Sequence, residues 1–135
     1  MDTKKLDTGE LAGISALLIH AAKIDENYTD REKNIILNFL KYFIKENEII
    51  QRILKKAEEL EKNSNQLLSF TNLIKKNSLE TKTLIIKQLW KIVISDDSSD
   101  EYETNLIRRV CGLIYFPDKL SGEIRIRMEK EKNLR

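Results

Sequence analysis

Four glycines and one proline are spread over 135 residues, and that scarcity constrains the fold more than any motif does. An all-β chain turns every few residues, and its turns draw on glycine and proline. A helical chain needs breaks only at wide intervals. Apolar residues recur at helical spacing, with Ile35, Ile36, Phe39, Leu40 and Phe43 sharing one face. The length suits a single domain over residues 1–135 with one buried core. The expected fold class is all-α: a compact bundle of about seven helices.

Breaks in the pattern divide the chain. Residues 7–24 open with Asp7 and Glu10, which have capping-box spacing, and continue as "LAGISALLIHAAKI". Apolar or small residues surround this segment, so it belongs inside the core. Ala12, Gly13, Ser15 and Ala16 leave room for a close helix neighbour. Further helices are expected at 29–44, 47–62, 65–76, 79–95 and 100–114, with Trp90 as a core anchor. Pro117 ends one segment and starts the last. Over 118–132, Ile124, Ile126 and Met128 alternate like a strand, whereas Leu120, Ile124 and Met128 step by four like a helix. With no strand to pair with, helix is the expectation.

One polar pattern occurs twice. Displaced by 71 positions, "KIDENYTDREKNII" (23–36) falls on "ISDDSSDEYETNLI" (94–107). Asp25 meets Asp96, Asn27 meets Ser98, Thr29 meets Asp100 and Glu32 meets Glu103. Apolar positions agree as well: Leu18 with Leu89, Ile36 with Ile107, Phe43 with Ile114. Two pseudo-repeated helix–acidic loop–helix units are therefore expected, at about 11–44 and 82–114.

Two readings of the loops stand side by side. Thr29 with Glu32, and Asp100 with Glu103, have the spacing of capping boxes, and early carboxylates suit the positive end of a helix dipole. Caps leave Asp25, Asn27, Asp96 and Ser98 without a role. Alternating side-chain oxygens also suit a hard divalent cation, calcium or magnesium, with Asp25, Asn27, Thr29, Glu32, Asp96, Ser98, Asp100 and Glu103 as candidate ligands. An EF-hand is the wrong pattern: its glycine position holds Asp30 or Glu101, and its final glutamate position holds Ile36 or Ile107.

Little else in the chain carries chemistry. A single histidine and a single cysteine exclude a Cys/His zinc site. His20, inside "LLIHAA", is read as a hydrogen-bonded, partly buried residue, and Cys111 as a small core hydrophobe. No phosphate-cradling glycine loop or nucleophile elbow occurs. The net charge is +2, without a long block of like charges, so nucleic acid is not an expected partner. The lone cysteine fits a reducing compartment, no secretion signal or membrane-length apolar run is evident, and the expected location is the cytoplasm.

"LLIHAAKID…TDREKNII", then "FTNLI", then "QLWKIVISDD…DEYETNLIRRVCGLI" resembles the TerB family of tellurite-resistance domains, from about residue 10 to 128. The resemblance implies an all-α module without enzymatic activity, linked to metal or envelope stress. It also implies metal-binding loop aspartates at Asp25 and Asp96 and helix-start glutamates at Glu32 and Glu103. Protein partners are implied too, because related domains precede a J-domain co-chaperone. Glu26 and Asp97 stand where relatives usually carry glycine, and His20 where many carry an acidic residue. The alternatives are a carboxylate-based, metal-dependent hydrolase and a purely structural adaptor.

Overall fold

The first helix, α1 (Thr8–Ile24), begins with a reciprocal cap. Glu10 N–H donates to Asp7 Oδ1 at 2.7 Å, and Asp7 N–H donates to Glu10 Oε1 at 3.1 Å. Six more helices follow: α2 (Asp30–Lys41), α3 (Asn47–Asn63), α4 (Leu67–Ile74), α5 (Leu79–Val93), α6 (Glu101–Leu113) and α7 (Asp118–Asn133). This computed structural model describes residues 6–24, 28–63, 67–94 and 101–133, and no strand occurs among them. The fold is an all-α bundle, as the scarcity of turn residues requires.

α1 is the central member. Leu11 through Ile19 are all buried, as are Ala21 and Ala22, and the helix packs against α2, α3, α4, α5 and α6. The small residues serve the purpose read from the sequence. A Cβ on Gly13 would lie 2.3 Å from Leu73 Cδ1, the far end of an α4 side chain that would have to turn aside, so glycine here lets Leu73 lie against α1. α7 packs on α5 and α6. It is a helix because Ile124 and Met128 are buried while Ile126 is 57% exposed; a strand would put all three on one side.

The ends of the helices are chemically specified. Ser78 caps α5 by accepting from the Thr81 N–H at 3.2 Å. α6 closes with a Schellman bond, Phe116 N–H to the Cys111 carbonyl at 2.8 Å, which puts Tyr115 in the left-handed region at φ 61°. α2 stops at Lys41, short of the expected Ile44. Its last turn tightens there: Tyr42 N–H donates to the Phe39 carbonyl at 3.1 Å and Phe43 N–H to the Leu40 carbonyl at 3.0 Å.

Trp90 is 4% exposed and donates its indole N–H to Ser121 Oγ at 3.0 Å, which ties α5 to α7. Arg125 lies 5.1 Å from the centre of the Trp90 ring. Cys111 is fully buried. Burial pushes its thiol up to about 11, with Asp118 adding to the shift and a bond to Ser121 opposing it. It is a core residue, as expected. No helix among the described residues is long and apolar enough to cross a membrane.

Candidate functional site

Of the eight oxygen-bearing residues expected to form the acidic loops, the described structure shows the side chains of Thr29 and Glu32. Asp25, Asn27, Asp96, Ser98 and Asp100 lie outside the described residues, as does the side chain of Glu103, whose backbone belongs to the first turn of α6. The cap expected from Asp100 and Glu103 falls outside with them.

Thr29 and Glu32 come together as a capping box at the start of α2. Glu32 Oε1 accepts the Thr29 N–H at 2.9 Å and also the Thr29 hydroxyl. Glu32 is only 2% exposed. A carboxylate so deeply covered requires charge-assisted partners, and the helix N-terminus supplies them. One of its oxygens is thus already engaged in holding the helix start.

The ground beside this cap is built by α3. Glu58 and Glu61 are three residues apart and share one side of α3. Glu58 Oε2 accepts the Tyr28 hydroxyl at 2.7 Å and lies 3.6 Å from Lys33 Nζ. Glu61 Oε1 lies 2.8 Å from Lys23 Nζ, and its Oε2 lies 3.4 Å from His20 Nδ1. Lys33 also sits 5.5 Å from the centre of the Tyr28 ring. Both ends of the first acidic stretch are therefore fastened to α3: the end of α1 through Lys23 and His20, the start of α2 through Tyr28 and Lys33.

Electrostatics follow from that packing. Burial, then the hydrogen bond to Glu58 and the charges of Glu58 and Glu61, hold the Tyr28 phenol well above its ordinary range. Tyr28 is thus a neutral donor, unsuited to act as a base. His20 is a partly covered, carboxylate-bonded residue with Phe70 at 6.4 Å between ring centres. Among the described residues, no group of three or more His, Cys, Asp or Glu side chains is arranged to hold a metal ion. Glu58, Glu61 and Tyr28 are the site residues that sequence reasoning missed. The only signal was the three-residue spacing of the two glutamates, which an ordinary solvated helix shares.

Residues 11–126 match the family described as tellurite resistance protein TerB. The chain belongs to the TerB family. The match spans both acidic stretches and includes the two helix-start glutamates, Glu32 and Glu103, so this TerB chain is a helical module of the tellurite-resistance kind. Neither the curated proteins nor the solved structures gave a match.

Proposed function

We propose that the 135 residues act as one non-enzymatic TerB module, related to stress or to metal, that binds divalent cations weakly, protein partners, or both. The observation that carries this reading is the family match, which spans two acidic stretches that each lead into a helix start. In this reading Asp25, Asn27, Asp96, Ser98 and Asp100 supply oxygens to the cation. Thr29, Glu32 and Glu103 fix the helix starts and complete the ligand sets. Calcium or magnesium fits all-oxygen ligands better than zinc does.

A second reading has a specific observation in its favour. Glu32 Oε1 is engaged as a cap, since both Thr29 donors converge on it. On that basis the acidic stretches are helix starts alone and the module is a structural adaptor.

Melting in chelator and in millimolar calcium, magnesium or manganese separates the two. If the loops hold a cation, wild type gains about 2.7 kcal/mol at a free cation concentration of roughly 100 times Kd. Glu32→Gln and Glu103→Gln then lose that gain, because a glutamine can cap but lacks the charge a hard cation requires. A melting temperature unmoved by all three ions retires the cation reading and leaves the adaptor.

A further inference from the structure

Between the start of α1 and the flank of α3 the surface opens into a groove of about 310 Å³. Thr8, Gly9 and Ala12 form its α1 wall, and Ile49, Ile53 and Leu60 form its α3 wall. Ile49 and Leu60 are 11 positions apart, so the groove follows α3 for about 16 Å, or three turns. A Cβ on Gly9 would meet only Asp7 Oδ1, at 3.4 Å, so the α1 wall is set back by a missing side chain. Arg52 and Lys56, one turn apart on α3, are the charged residues of the lining. Both are exposed, and neither makes an ion pair or a hydrogen bond. Glu48 and Glu59, four and three residues from them on α3, line no part of the groove.

The other half of the molecule shows that helix packing does not require these features. α5 packs on α7 as α1 packs on α3. At a displacement of 71 positions, Gly9 corresponds to Glu80, Ala12 to Thr83, Arg52 to Glu123 and Leu60 to Glu131. That pair of helices carries larger or acidic side chains at the places where the first pair keeps a recessed wall, a half-buried leucine and a cation.

We propose that this groove docks an acidic amphipathic helix of a partner protein. The helix lays its apolar face on Ile49, Ile53 and Leu60 and sets two carboxylates, one turn apart, against Arg52 and Lys56. A helix docks in a groove through apolar residues every three to four positions, and carboxylates four residues apart share one edge of that face. The two cations have the same four-residue spacing, so a ligand with one anionic group would leave one of them unanswered. Sign selects among occupants. The chain's own first residues, with Lys4 and Lys5 against Asp2, bring net positive charge and do not match. The inference rests on the reading of the module as one that engages protein partners, and none of the lining belongs to either acidic stretch.

The test is a fluorescence-anisotropy titration of the full chain, in chelator, against a labelled peptide of about 16 residues, long enough to form a helix. The peptide carries leucines at i, i+3, i+4 and i+7 and two glutamates one turn apart beside them. Saturable binding with a Kd below about 100 µM is expected, and lysines in place of the glutamates should weaken it about tenfold or more. Arg52→Glu combined with Lys56→Glu, both exposed, should reverse that order in favour of the lysine peptide, which a merely destabilised protein would not do. Gly9→Leu fills the groove and should lower affinity about tenfold, with the melting temperature unchanged or higher. No saturable binding at about 1 mM overturns the proposal. So does displacement of the peptide by dodecanoate, which makes the groove a site for a small lipophilic anion, or a wild-type dimer that Gly9→Leu dissolves, which makes a second copy the occupant. Peptide binding that survives both variants overturns the groove but leaves the partner reading standing. Chelator keeps every outcome separate from cation binding.

Discussion

α1 and α5 each lead into an acidic stretch, and their C-terminal ends are fastened by opposite arrangements. At the end of α1 the helix itself carries the cation: Lys23 reaches Glu61 of α3 at 2.8 Å. At the end of α5 the cation comes from the other helix, and Lys132 of α7 donates to the Ile94 carbonyl at 2.6 Å. The residues correspond. Glu61 and Lys132 are 71 positions apart, as are Lys23 and Ile94. So are the helix starts Thr8 and Leu79, Asp30 and Glu101, and Asn47 and Asp118.

Where Ile94 stands in place of the lysine, the third helix carries Lys132 in place of the glutamate. A lysine there meets the negative end of the leading helix instead. Two chemistries thus perform one task, holding the exit of the leading helix against the helix that packs on it. We propose from this that the repeated unit comprises three helices rather than two, with α4 as the segment between copies.

Corresponding core positions test that equivalence most severely. Leu18 and Leu89 are both fully buried, and alanine at either should cost about 2–5 kcal/mol by urea denaturation. Equivalent surroundings require the two losses to agree within about 1 kcal/mol; a larger gap breaks the correspondence.

A smaller difference is visible only in alkali, where Cys111 occupies the place that Leu40 holds in the first copy. The folded thiol titrates near 11 against an ordinary 9. Below about 9 both states keep the proton and the contribution is intact; as pH rises from about 9 to 11 the unfolded chain ionises first, and stability falls. Urea midpoints of wild type and Cys111→Ala should therefore converge as pH rises through that window. A gap that stays constant would disprove the shift.

The two fastenings come next. Glu61→Gln and Lys132→Met should each cost about 1 kcal/mol, since Glu61 and Lys132 are both largely covered while Lys23 is screened by solvent. Added salt should shrink the Glu61→Gln effect more than the Lys132→Met effect, because a carbonyl carries no net charge to screen. Equal salt responses would show that the two arrangements are electrostatically alike. The smallest change is Glu32→Gln in chelator, a loss of a few tenths of a kcal/mol, because glutamine preserves the capping box. A loss near 2 kcal/mol would mean that the carboxylate charge does more than cap.

The sequence showed helix starts more clearly than it showed the site. Asp7 with Glu10 and Thr29 with Glu32 reveal their caps because capping is local, confined to four consecutive residues. Over 118–132 the spacing fitted strand and helix alike, and only the lack of a partner strand elsewhere in the chain pointed to the helix that the burial of Ile124 and Met128 bears out. Glu58, Glu61 and Lys132 were invisible. Their partners lie 25 to 41 residues away, at distances set by how helices pack, and on the page each is one more charged residue on a polar face.

The burial of α1 on nearly every side has a consequence for biosynthesis. Of the seven helices, this one leaves the ribosome before the others, and its packing partners extend as far along the chain as α6. During translation this central helix therefore waits uncovered while those partners are made. Between Leu11 and Ile19 its one polar side chain is Ser15, which offers little protection over that interval. Until its second half arrives, such a nascent chain exposes apolar surface of the kind that chaperones cover.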